Sequence, residues 1–304
     1  MDHREAMLLI EASGLSMAYK GGKGVFGLDF SVKQGEAFGY LGPNGSGKTT
    51  TMRLLMGFMR AQSGTCSIDD MDCWKDAARI KQSLGFLPGE ISLFDDMSGA
   101  SFLRFLMEMR GRKDMGKAAE LASMFNLDMK QRIRRMSKGT KQKIAIVAAF
   151  MHEPKAYILD EPTSGLDPLM QNMFIDLVLE EKKKGKTFLM SSHNFEEVDR
   201  TCDRAAILKE GRLAAIEEIS KLKAEQRSSY IVLFNDPADI RKLASMGFEV
   251  TSGRHNQAEI IVGKDYNALL RALAQCDIRG LYPGTKSLED AFLKYYGKEG
   301  ASND

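Results

Sequence analysis

The sequence is poor in the features that would tie a chain to an oxidising compartment, a metal cluster or a lipid bilayer. Its four cysteines, Cys66, Cys73, Cys202 and Cys276, are scattered, with no CxxC pair and no ligand spacing. They read as buried small hydrophobes in a reducing cytosol. Nowhere do about 18–20 apolar residues follow one another, the length a membrane-spanning helix needs. The longest run, residues 144–151, is a core-helix segment at most. Met1-Asp2-His3-Arg4-Glu5 carries acids and leads into only a short apolar patch, so no secretory signal is expected there. A formal charge of +2 gives no strong electrostatic footprint, and no nucleic-acid partner is expected. What is present is ordinary for a folded soluble protein: 43% apolar and 28% charged residues. The length of 304 residues predicts one large domain and one small one.

Along the chain, residues 7–10, 25–32 and 36–41 read as short strands, with turns at Gly21-Gly22 and Lys33-Gln34-Gly35. A glycine-rich loop follows, then a helix over about 48–59. Residues 96–152 look mostly helical, with Phe102, Phe105, Leu106 and Met109 at helical spacing. The apolar runs 156–159 and 187–191 each end at polar residues. Strands buried on both faces of a parallel sheet look like this, and ligand chemistry gathers at their C-terminal ends, where Asp160 and His193 stand. From about 222 the pattern changes to strand 229–234, helix 237–245, strands 248–251 and 258–262, helix 266–275, strand 278–282 and a last helix 288–296. That is the ferredoxin-like order. The expected domains are therefore residues 1–220, with a helical insert over about 86–152, and residues 222–304, with the polar stretch 221–227 as the joint.

Gly42-Pro43-Asn44-Gly45-Ser46-Gly47-Lys48-Thr49 fits GxxxxGK[ST] between a strand and a helix. Glycines let backbone amides converge on phosphate oxygens, and the helix N-terminus adds unpaired N–H groups and positive partial charge. Lys48 can reach the outer phosphates and the Thr49 hydroxyl can ligate Mg²⁺. Tyr157-Ile158-Leu159-Asp160-Glu161 is an apolar strand ending in two acids. Alone, such a pair reads as a surface turn; beside a phosphate loop, Asp160 is placed for the Mg²⁺ shell and Glu161 to take a proton from an attacking water. Between the two lies Met136-Ser137-Lys138-Gly139-Thr140-Lys141-Gln142-Lys143, where Ser137 can cap a helix and Gly139 leaves room for a phosphate.

Taken together, residues 8 to about 215 strongly resemble the nucleotide-binding subunits of ATP-binding-cassette (ABC) transporters. The motifs come in order: an aromatic A-loop residue (Tyr19), the phosphate loop through Thr50, a signature related to LSGGQ (Met136 to Thr140), the acidic strand, a D-loop (Ser164-Gly165-Leu166-Asp167) and a switch histidine (His193). The resemblance implies an α/β P-loop NTPase cassette with a helical subdomain, binding ATP and Mg²⁺. It implies that Tyr19 stacks on adenine, Thr49 and Asp160 serve Mg²⁺, Glu161 is the general base and His193 contacts the γ-phosphate. Ser137 and Gly139 would close over the nucleotide of a second cassette, and Asp167 of the D-loop would also bind nucleotide. The protein is therefore expected to act as a dimer, with itself or with a related cassette, beside a transmembrane permease at the cytoplasmic face of the membrane. Two departures stand out. Lys138 and Thr140 replace the usual Gly and Gln of the signature, while Gln142 fits downstream. Gly89 stands where the Q-loop glutamine is usual, with Glu90 beside it as the available substitute. Asp167-Pro168-Leu169-Met170-Gln171, Gly185-Lys186-Thr187-Phe188 and Cys202-Asp203-Arg204 look like the bacterial branch that exports drugs, antibiotics and peptides. The alternative function is a cassette ATPase that transmits force or a signal to a membrane complex without moving a substrate.

Overall fold

The computed structural model describes residues 7–225, 229–253, 256–262 and 265–284. Two compact units divide between Ile219 and Ser220. The helix expected over 288–296 and the end of the stretch 221–227 lie outside the described residues.

The first unit opens with β1 (Leu8–Ala18) and β2 (Gly24–Lys33), and continues through β3 (Ala37–Leu41), α1 (Lys48–Leu55), β4 (Ser63–Ile68), β5 (Met71–Asp72), α2 (Ala77–Ser83) and β6 (Leu84–Leu87). The helical insert holds α3 (Gly99–Met109), α4 (Gly116–Met124), a 3₁₀ turn (Ile133–Arg135) and α5 (Lys138–Phe150). Then come β7 (Ala156–Asp160), α6 (Pro168–Lys183), β8 (Thr187–Ser192), α7 (Phe195–Thr201), β9 (Arg204–Lys209) and β10 (Arg212–Glu218), and α8 (Ile219–Glu225) starts at the boundary, belonging to the second unit from Ser220 on.

The central sheet has the order β10-β9-β3-β8-β7-β6, parallel except where β10 pairs with β9. Every residue of β3, β7 and β8 is buried, which is why these strands read as continuous apolar runs rather than alternating ones. A second, antiparallel sheet runs β2-β1-β4-β5. Its inner residues Ile10, Leu15, Val25 and Leu28 share a core with Phe38 and Tyr40 of β3 and with Met52 and Leu55 of α1. On β7 and β8, Tyr157 and Phe188 stack at 4.6 Å between ring centroids, and Phe150 of α5 stacks on Tyr157 at 4.3 Å. The helical insert is thereby anchored to the sheet by aromatic packing.

One helix departs from the sequence expectation for an identifiable reason. The helix after the phosphate loop stops at Leu55 rather than reaching 59, because Gly57 turns into the left-handed region (φ 61°), where a Cβ would strike the Cys73 carbonyl at 2.3 Å. The stretch 96–152 is mostly helical, as expected, and divides into three α-helices and a 3₁₀ turn. Ser98 caps α3, accepting from the Ser101 amide at 3.2 Å, and Ser137 caps α5, accepting from the Thr140 amide at the same distance.

In the second unit β11 (Ser229–Phe234), α9 (Ala238–Ser245), β12 (Glu249–Ser252), β13 (Gln257–Ile261), α10 (Tyr266–Leu273) and β14 (Ile278–Pro283) follow in chain order. The sheet is antiparallel, ordered β12-β13-β11-β14. Val232, Phe234, Leu243, Ala258, Ile260 and Leu269 form its own core.

Candidate active site

Register gathers the chemistry. Leu41 pairs with Ser192, Asp160 with Ser191, and Leu87 with Leu159, so β3, β6, β7 and β8 end on one edge of the central sheet. The loops leaving those ends line a cleft of about 510 Å³. Its walls include Tyr19, Asn44, Gly45, Gly47, Lys48, Thr49, Thr50, Glu161 and His193, nine of the residues singled out in the sequence. Lys23, Arg53, Glu90 and Ser164 line it too. Of these, Glu90 is the substitute offered for the Q-loop glutamine and Ser164 the first residue of the D-loop; Lys23 and Arg53 carried no sequence signal.

The phosphate loop wraps its own lysine. Lys48, only 6% exposed, donates to the carbonyls of Gly42 at 2.6 Å and Pro43 at 3.3 Å. Gly47, the residue before α1, has φ 108°, and a Cβ there would meet Val25 at 2.6 Å, so only glycine fits. Ser46 Oγ is buried within the loop and has no hydrogen-bond partner among the described residues. A loop offering convergent amides, a buried ammonium and an orphaned hydroxyl suits a polyphosphate.

Facing the loop, Glu161 follows the last residue of β7 in a left-handed conformation (φ 52°), costly for a non-glycine residue and often kept where function demands it. Its amide donates to the carbonyl of Ser191 at 3.1 Å and to Ser191 Oγ at 3.0 Å. Its carboxylate lies 3.2 Å from Lys48 Nζ on one oxygen and is hydrogen-bonded to His193 Nδ1 on the other. Asp160 is 1% exposed and does not line the cleft; its Oδ1 accepts from Ser191 Oγ. Its Oδ2 faces Gly89, where a Cβ would stand 2.9 Å away. Tyr19, 39% exposed, is held by its hydroxyl against Thr50 Oγ1 at 3.4 Å and Met59 Sδ at 3.3 Å.

Behind these loops lies a support layer the motifs do not announce. Gln142 Nε2 on α5 donates to the Pro162 carbonyl at 2.6 Å, fixing the turn after Glu161. Glu197 on α7 is buried, and burial, eased by hydrogen bonds from Ser192 and Thr163, pushes its carboxyl up to about 7.

Ser137, Gly139 and Asp167 do not line this cleft. Ser137 caps α5, and Asp167 caps α6, accepting from the Met170 amide at 3.0 Å. A Cβ on Gly139 would come within 2.8 Å of the Gly165 carbonyl, so the signature turn and the D-loop touch in one chain.

Comparison with known proteins agrees with this geometry. Residues 25–164 match the ABC transporter family. The linearmycin resistance ATP-binding protein LnrL of Bacillus subtilis is 36% identical over 68% of this chain and 68% of its own length. The chain belongs to the ABC transporter ATP-binding proteins. Among its relatives, the daunorubicin/doxorubicin resistance ATP-binding protein DrrA of Streptomyces peucetius is 30% identical across 95% of this chain and 92% of its own. A solved ATP-binding subunit of an ABC transporter superposes with a TM-score of 0.66 at 30% identity, covering 71% of this chain and 92% of that one. The ABC cassette of this chain is thus an ATPase domain and the ATP-binding subunit of a transporter. No helix among the described residues is long and apolar enough to cross a membrane.

Proposed function

We propose that this subunit powers export through a separate membrane permease, hydrolysing ATP in the cleft with Glu161 as general base. The observation that carries the chemistry is the placement of the Glu161 carboxylate between Lys48 Nζ at 3.2 Å and His193 Nδ1, at the mouth of the phosphate loop. Tyr19 offers a ring face for the adenine. Amides of Gly45 to Thr49, with Lys48, bind and orient the phosphates. Glu161 accepts the proton of a water as its oxygen bonds to the γ-phosphorus and the bond to the β-phosphate oxygen breaks; His193 steadies the carboxylate and the γ-phosphoryl oxygens. Thr49, which lines the cleft, would supply a hard oxygen donor to Mg²⁺, which would neutralise charge on the phosphates. Asp160, buried behind the cleft with its Oδ1 on Ser191 Oγ, would act on the outer part of the metal's shell. Ser137, Gly139 and Asp167 belong to the opposing face of a second cassette, a reading supported by their absence from this chain's own cleft. Export is supported by the drug-resistance names of two relatives and by the motif resemblance. The second unit has a strand order suited to a ferredoxin-like accessory module, with catalysis confined to the first.

The test is Glu161→Gln. The amide keeps the shape and loses the base, so ATP binding persists while turnover falls by about 10²–10⁴. Sizing the variant with Mg-ATP should show a lasting dimer; normal turnover in the variant overturns the assignment.

A further inference from the structure

Glu161 and His193 lie on separate loops, after β7 and β8, and their meeting depends on what ties those loops together. We propose that Glu197 is a positioning residue that clamps the two loops by accepting hydroxyl hydrogen bonds from both. The inference rests on the hydrolytic reading above.

Ser192 Oγ, next to His193, donates to Glu197 Oε2 at 2.6 Å. Thr163 Oγ1, two residues past Glu161, donates to the same oxygen at 3.3 Å. Ser192 Oγ also accepts from the Asn194 amide at 2.9 Å, so the hydroxyl fixes the backbone on both sides of His193. One carboxyl oxygen therefore joins the segment carrying the base to the segment carrying the histidine. The position is costly. Glu197 is 1% exposed, and its Oε1 accepts no hydrogen bond among the described residues. A buried, half-satisfied carboxyl destabilises a fold unless it is retained for another reason. Helix-end electrostatics do not supply that reason: Glu196 sits in the same first turn of α7, is exposed, and meets the helix dipole without burial.

The experiment uses the full chain, with steady-state ATP hydrolysis, binding of a fluorescent ATP analogue, and amide hydrogen exchange over residues 161–166 and 191–195. Glu197→Ala should lower kcat by about 10-fold or more while KM for ATP moves less than about threefold, and should speed exchange in both loops. Glu197→Gln keeps an acceptor oxygen in place and should recover most of the loss. If Glu197→Ala fails to fold, Ser192→Ala and Thr163→Val remove the clamp from its other side and should show the same kcat-selective loss. Unchanged exchange in both loops, or equal losses in the Ala and Gln variants, overturns the clamp. A parent protein that binds ATP without hydrolysing it would instead overturn the hydrolytic reading, and the exchange comparison would still decide the clamp.

Discussion

At position 89 a Cβ would stand 2.9 Å from Asp160 Oδ2 and 3.2 Å from its Cγ, closer than side chains pack. Glycine there is a requirement of the acidic strand, and restoring the glutamine usual in the family should harm the site. Gly89→Gln is expected to reduce ATP turnover by about 10-fold or more, through displacement of the Asp160 carboxylate, and to shift the Mg²⁺ dependence. Titrating turnover against Mg²⁺ for both proteins checks it; a variant that matches or exceeds its parent refutes the steric argument. Much of the site was legible at this scale because the chemistry fixes residue type and spacing. Gly47 and Lys48 are demanded by a backbone that must approach phosphate, and Asp160-Glu161 by a strand that ends at the ligand. Gln142 was legible as a signature residue but its bond to Pro162 was not, and Glu197 was not legible at all, because their work is done on Pro162, Thr163 and Ser192, neighbours that only the folded chain supplies.

At the scale of elements, the turn after α5 holds a buried histidine. His152 is 2% exposed, and its Nε2 is hydrogen-bonded to the Leu84 carbonyl at 3.0 Å. Burial, with the positive charges of Arg110 and Arg112 nearby, pushes it down to about 4 from an ordinary 6.5. The folded state therefore resists protonation. Stability from this residue is complete above about pH 6.5 and lost as pH falls toward 4, up to about 3 kcal/mol in all. Glu197 acts in the opposite sense, since its raised carboxyl favours the fold at low pH and costs stability as pH rises toward 7. The two are separated by comparing the parent with His152→Gln, whose amide can still donate to Leu84. The parent should lose stability relative to the variant between pH 6.5 and 4 in urea unfolding; parallel curves would show that His152 titrates normally. Strands were easier to foresee than helix limits. β3, β7 and β8 are continuous apolar runs, whereas the end of α1 is set by Cys73 crowding Gly57 and could not be read locally.

For the whole molecule, the proposed function requires a surface on which a permease would dock. Phe94 is 54% exposed although its ring packs edge-on against Phe102 at 5.9 Å and Phe105 at 5.7 Å. Its neighbour Asp95 pairs with Lys141 at 3.0 Å, holding the loop against the signature helix α5. An aromatic set at a surface and rimmed by charge suits a protein contact. Phe94→Asp should leave ATP hydrolysis by the isolated subunit intact and break co-purification with the permease; normal assembly places docking elsewhere. The end of β8 has a different consequence. Ser191 serves Asp160 and the Glu161 amide, Ser192 serves Glu197, and His193 serves Glu161. Side chains alternate between faces along a strand, so each of these three neighbours has its own errand, and a slip of one residue would exchange them all. Descendants of this gene can lengthen or shorten the exposed turn between α6 and β8 with little penalty, but a single codon gained or lost within residues 187–193 would scramble four contacts at once.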